Sequence, residues 1–136
     1  MDNYLQVLQE SSLNGLIMTM HADDPKWSYA GIDNNGIVTH VVEKEVISNE
    51  ATVGIYNFRH GLSFVSAAKE MIANNERVND EFYVAPTYNY LIAHGHRIGI
   101  YNVGSEGDGM YGLGIPADLE AFLELPLSRH LDFKRE

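Results

Sequence analysis

The spacing of apolar positions changes several times along this chain, and each change predicts an element. Residues 4–10, YLQVLQE, set Tyr4, Leu5 and Leu8 on one helical stripe, with Asp2 or Asn3 available as a cap. Residues 15–20, GLIMTM, are apolar at odd and even positions alike, as in a strand covered on both faces. After the loop signal ADDPK at 22–26, WSYAGI at 27–32 and IVTHVVE at 37–43 read as two strands. DNNG at 33–36 joins them as a hairpin, because Asn and Gly accept positive φ. ATVGIYNF at 51–58 is a further strand, rich in β-branched and aromatic residues.

The second half of the chain is more helical. Phe64, Ala67, Ala68, Met71 and Ile72 recur at helical spacing after a candidate cap, Ser63. PTYNYLIAHG at 86–95 reads as a helix opened by Pro86 and stopped by Gly95. RIGIYNV at 97–103 is a strand, GSEGDG at 104–109 a glycine-rich loop, and PADLEAFLEL at 116–125 a last helix started by Pro116. Strands and helices thus mix around a hairpin, which predicts an α/β layered domain with a mixed sheet of five strands. Residues 1–125 form one domain and 126–136 a polar tail.

The total of 136 residues suits one domain, and 45% hydrophobic residues suffice for its core. No apolar run approaches the roughly 18 residues of a membrane span, and no basic start leads into an apolar stretch as in a signal peptide. Cysteine is absent, which excludes disulfides, thiolate metal sites and a cysteine nucleophile and fits a cytoplasmic location. Nineteen acidic residues against nine basic ones give a net charge of −10. Nucleic-acid and membrane-surface binding need a basic face, so neither is expected. Any phosphate must be held locally, by one or two placed cations or by backbone N–H groups.

Candidate chemistry is sparse. The HGH run at 94–96 lies where a helix ends, and histidines there favour the helix dipole without binding metal. Asp23 and Asp24 precede a proline and read as a capped turn before they read as a cation site. The glycine-rich loop carries Glu106 and Asp108 but no lysine, so it reads as a flexible connection and not as a phosphate cradle. VVEKE at 41–45 stands out: an apolar strand ends in three charges, with Lys44 between Glu43 and Glu45. In a regular strand Lys44 would face away from both neighbours. It is then either a solvated edge residue or a cation aimed at an anion.

The ordered segments PKWSYA, GIVTHVVEK, ATVGIYNF, NDEFYVAPTYNYLIAHG and MYGLGIPADLEAFL resemble the C-terminal half of the sugar-phosphate nucleotidyltransferases, over about residues 14–125. The resemblance implies a nucleotide-diphospho-sugar transferase (GT-A-like) fold. It implies that Lys44 binds a sugar 1-phosphate, that Glu43 and Glu81 accept sugar hydroxyls, and that the Gly54 backbone lies along the sugar. It also marks departures. The glycine-rich, arginine-containing loop that cradles the triphosphate, its lysine, and the first metal aspartate belong to a half that would precede Met1. Gly112 stands where many members carry a second metal aspartate, and Glu45 where proline usually follows Glu-Lys. The intact family works with Mg²⁺. This chain is expected to hold no cofactor alone, to carry no catalytic residue, and to need a complementary nucleotide-binding chain for turnover. The alternative is a non-catalytic sugar-phosphate binding or oligomerisation module. Because GLIMTM keeps apolar residues on both faces, a homodimer covering residues 15–20 is expected.

Overall fold

The computed structural model describes residues 1–131. Its elements are α1 (Asp2–Glu10), β1 (Gly15–His21), β2 (Ser28–Ile32), β3 (Val38–Glu43), β4 (Glu50–Phe58), α2 (Gly61–Ala73), α3 (Thr87–Ala93), β5 (Ile98–Glu106), β6 (Gly109–Met110) and α4 (Pro116–Glu124). The six strands form one mixed sheet in the order β3-β2-β4-β1-β5-β6. β1 runs antiparallel to β4 and parallel to β5, so the doubly apolar segment is a central strand, as its pattern implies.

The two faces of β1 feed separate cores. Ile17 shares one with Ala67 and Met71 of α2 and with Tyr88 and Leu91 of α3. On the other face Leu16 and Met18 meet Tyr4 of α1, and Met20 joins Tyr29 and Ala51. This corrects the expectation that β1 leaves apolar surface for a second copy to cover. Leu16, Ile17 and Met20 are wholly buried and Met18 is 8% exposed. The short amphipathic helix α1 covers Leu16 and Met18. The Tyr4 hydroxyl donates to the Leu16 carbonyl at 2.6 Å, and the Arg59 guanidinium donates to the carbonyls of Leu8, Ser11 and Leu13. One side chain just beyond β4 thus donates to three carbonyls at and beyond the C-terminus of α1.

The predicted hairpin forms with the predicted chemistry. The Asp33 carboxylate accepts from the amides of Asn35 and Ile37, and Gly36 takes φ +74°. Other expectations need correction. α2 starts at Gly61 with His60, not Ser63, at its N-cap. The 104–109 segment is not a flexible connection but a tight return into a sixth strand. Ser105 and Asp108 exchange backbone hydrogen bonds at 2.8 and 2.9 Å, and Gly107 N–H donates to the Met110 carbonyl. Gly104 and Gly109 take φ +120° and +105°, and a Cβ on either would overlap a carbonyl of the opposing backbone. The glycines are there for close approach. Of the tail expected from 126, residues Pro126–Leu131 wind into a 3-10 turn, held by the Ser128 hydroxyl donating to the carbonyls of Leu123 and Leu125. Residues 132–136 lie outside the described residues.

Two features of the sheet shape the region around the end of β3. β3 is an edge strand, and the Asn89 side chain of α3 clamps it, accepting from the Val41 amide at 2.7 Å and donating to the Val41 carbonyl at 2.8 Å. β4 pairs with β1 along most of its length but with β2 only at Ala51 opposite Tyr29. Its outer edge from 53 to 58 has no neighbouring strand among the described residues.

Candidate functional site

The end of β3 determines where Lys44 points. The strand stops at Glu43, and Lys44 takes φ +61°, a left-handed conformation uncommon for a residue with a side chain. Its amide donates to the Trp27 carbonyl at 3.1 Å, which holds the turn against the neighbouring chain segment. The reversal breaks the alternation of a regular strand. Lys44 Nζ therefore comes back to 3.7 Å from Glu43 Oε1 and donates to the Lys26 carbonyl at 2.8 Å. It also lies 5.7 Å from the centre of the Tyr83 ring. A proline after Glu-Lys would end the ladder in one way, and here a strained lysine backbone ends it in another. Strain of this kind clusters at binding and catalytic sites.

Glu43 is the more enclosed partner, with 7% of its side chain exposed against 39% for Lys44. Burial pushes its carboxyl above the usual glutamate range, and the Lys44 ammonium and Ser28 hydroxyl pull partly the other way. Ser28 sits opposite Glu43 in the β2–β3 ladder. Its hydroxyl contacts that of Thr52, which lies 2.8 Å from the Tyr56 hydroxyl. A chain of hydroxyls thus leads from the carboxyl across the sheet to β4.

Gly54 lies in the same wall. Opposite Met18 alone, β4 places three residues, 53–55, so the ladder bulges there. Gly54 takes φ +83° at the bulge, with open space where a Cβ would stand. Glu43, Lys44 and Gly54 line one cavity of about 360 Å³, together with Trp27, Tyr56 and Tyr83. Glu81 does not line it. It sits after a tight turn in which Asn79 and Asp80 both take positive φ, and its carboxylate accepts the Tyr83 hydroxyl at 2.7 Å. That bond ties it to Tyr83, a residue of the cavity wall. Gly112 is elsewhere, beside Asp118 and Phe122 in a separate cavity of about 250 Å³.

Sequence reading missed Lys26, Trp27, Ser28, Thr52, Tyr56 and Tyr83, all of which line the larger cavity. Ser28 could have been found from the hairpin register, which pairs it with Glu43. Lys26 and Trp27 come from the turn before β2, Thr52 and Tyr56 flank the bulge, and Tyr83 comes from the segment entering α3, so no single local pattern marks them. The resulting wall offers an ammonium, an enclosed carboxyl, hydroxyls and aromatic faces around an open space. Those groups suit a polar, hydroxyl-bearing anion.

No protein-family model and no curated protein matches the sequence. Solved structures do match. A nucleoside-diphosphate-sugar pyrophosphorylase from Vibrio cholerae superposes with a TM-score of 0.76 at 26% identity, over 83% of this chain and 47% of that one. A Bacillus anthracis protein described as a glucose-1-phosphate thymidylyltransferase, crystallised with sucrose, gives 0.60 at 18% identity, over 88% and 46%. A CMP:2-keto-3-deoxy-manno-octonic acid synthetase in complex with CTP gives 0.54 at 15% identity, over 94% and 55%. The latter two show the fold alone. The chain spans about half the length of each of these proteins, so its fold is part of theirs.

Proposed function

Starting from a nucleotidyltransferase-like fold that spans about half of the solved pyrophosphorylase, we propose that this chain is the sugar-phosphate-binding part of such a protein. It holds a sugar 1-phosphate at the end of β3 and does not transfer a nucleotidyl group unaided. The observation that carries this reading is the left-handed Lys44, which turns an ammonium back beside Glu43 at the mouth of a 360 Å³ cavity.

Each residue then has a role set by its chemistry. The Lys44 ammonium donates to the Lys26 carbonyl and stands 3.7 Å from Glu43, which leaves it donor capacity for a phosphate oxygen. Glu43 accepts a sugar hydroxyl, and its enclosure makes that contact selective. At Gly54 the bulged backbone gives a ligand close approach with no side chain intervening. Glu81 acts through Tyr83, whose hydroxyl it fixes. The sequence holds no glycine-rich loop carrying arginine, so the triphosphate and Mg²⁺ are left to residues outside this chain.

A specific observation favours a partner. The cavity opens on the β4 residues that also form the unpaired 53–58 edge, a segment with no charged residue. Uncharged open edges accept strands from other chains. The complementary chain or second copy expected from the sequence is therefore proposed to dock at β4 and not at the buried β1.

Calorimetric titration of hexose 1-phosphates tests the reading. Lys44→Ala should weaken binding about tenfold or more, the effect of losing one charge-assisted contact. Unchanged affinity in that variant overturns the assignment of the phosphate to Lys44. Steady pyrophosphate release from Mg²⁺, nucleoside triphosphate and sugar 1-phosphate overturns the claim that the chain needs a partner. Sedimentation of the purified chain shows whether that partner is a second copy.

A further inference from the structure

The segment at 75–83, between α2 and α3, is braced by its own contacts. Asn79 and Asp80 take φ +50° and +63° in succession. Val78 and Glu81 exchange backbone hydrogen bonds across them at 2.9 and 3.0 Å. The Arg77 guanidinium donates to the Asp80 carbonyl at 3.2 Å and to the Asn75 side chain at 2.8 Å, and lies 4.4 Å from the centre of the Phe82 ring. Phe82 itself packs against the core that α2 and α3 share with the sheet. Strained residues persist where the surroundings over-determine them. What this turn holds in place is Glu81, and Glu81 in turn accepts the Tyr83 hydroxyl at 2.7 Å. With its hydroxyl proton engaged there, Tyr83 offers the β3 cavity its ring. Lys44 Nζ stands over that ring, 5.7 Å from its centre. An anion received by the ammonium therefore brings its own body alongside the aromatic face.

Resting on the reading of Lys44 as the phosphate contact, we propose that Tyr83 is a specificity-determining residue of that site, on which the C–H face of a pyranose stacks. The ring hydrogens of a pyranose carry slight positive charge and meet the negative face of the tyrosine. Its hydroxyls, which point outward from the ring, are left for Glu43 and the hydroxyl-bearing side chains of the same cavity. The site then takes cyclic hexose phosphates in preference to smaller or acyclic phosphate esters. Glu81 is a positioning residue, acting on the sugar through the orientation of Tyr83.

The 1-phosphates of glucose, galactose and mannose are the probes, with glycerol 3-phosphate and methyl phosphate as comparators, titrated against the intact chain while ligand protons are followed by NMR. The best-bound hexose 1-phosphate should bind about three- to tenfold more tightly than either comparator. Its ring protons should move upfield, the signature of protons held over an aromatic face. Tyr83→Leu keeps apolar area but no ring. It should erase both the preference and the upfield movement, with methyl phosphate binding as before and the amide spectrum native. Tyr83→Phe should keep the upfield movement. Glu81→Ala should weaken hexose phosphates in the wild-type background and add nothing to Tyr83→Phe, where its bond is already gone. The proposal is overturned if hexose phosphates bind no better than methyl phosphate, if their ring protons do not move upfield, if Tyr83→Leu retains the preference, or if Glu81→Ala still costs affinity in Tyr83→Phe. Methyl phosphate reads Lys44 separately. If Lys44→Ala leaves its binding unchanged, the phosphate assignment fails; if Lys44→Ala weakens it while Tyr83→Leu leaves hexose phosphates unaffected, the stacking alone fails.

Discussion

Replacing Lys44 with glycine should leave the protein more stable than replacing it with alanine, against the usual order. Both changes remove the same contacts: the Nζ bond to the Lys26 carbonyl, the 3.7 Å approach to Glu43 and the Tyr83 face. They differ in the backbone. At φ +61° a residue with a Cβ carries about 1–2 kcal/mol of left-handed strain, which glycine does not. Glycine in turn loses about 0.4–1 kcal/mol through the greater freedom of its unfolded chain. The difference leaves Lys44→Gly ahead of Lys44→Ala by about 1 kcal/mol. For a chain of this size that is about 2–5 °C in Tm. Urea and thermal melts of the three proteins in one buffer measure it. Wild type carries the same left-handed strain as Lys44→Ala, and its additional contacts are partly exposed and individually weak, so it should lie between the two variants. Both variants should lose sugar-phosphate affinity alike, so stability and binding separate. If Lys44→Ala equals or exceeds Lys44→Gly in stability, the left-handed turn is not present in solution. The explanation of how Lys44 reaches Glu43 then collapses with it.

Three further outcomes are expected. Glu43 keeps its proton to higher pH when folded than when unfolded, so its ionisation costs stability; the cost is absent below the unfolded value and grows as pH rises through the window between the two. The stability of Glu43→Gln minus that of wild type should therefore increase with pH across the weakly acidic range, and a flat difference in urea midpoints contradicts the buried carboxyl. Gly54→Ala should cost about 1–2 kcal/mol from backbone strain alone, since its Cβ meets nothing, whereas Gly109→Ala should disrupt the β5–β6 return, a contrast that amide spectra of residues 103–110 would display. Tyr4→Phe removes a buried hydrogen bond to Leu16 and should cost about 1–2 kcal/mol in chemical melts, while a null effect would mean α1 is not seated on β1.

Hydrophobic period alone placed most of the elements. The two-sided apolar run became the central strand, DNNG became the hairpin, and Pro116 opened the last helix at the predicted residue. These are local decisions, made within a few residues by backbone sterics and the need to bury a stripe or a face. The pair Glu43 and Lys44 was visible too, as charges ending an apolar strand. What sequence could not decide was direction. Whether Lys44 meets solvent or Glu43 depends on its φ, fixed by the Trp27 carbonyl at the start of the adjoining strand and by the Asn89 clamp on β3, 48 residues away in sequence. The same holds for β1. Its apolar faces read as surface awaiting a second copy because the sequence does not say that Arg59 and Tyr4 seat α1 over one of them while α2 and α3 pack on the other. The glycine-rich run read as slack, since only the folded return shows two carbonyls standing where side chains would be. Period and turn chemistry act along the chain. The aim of a side chain, the covering of a face and the room beside a glycine are set by residues that only folding brings near.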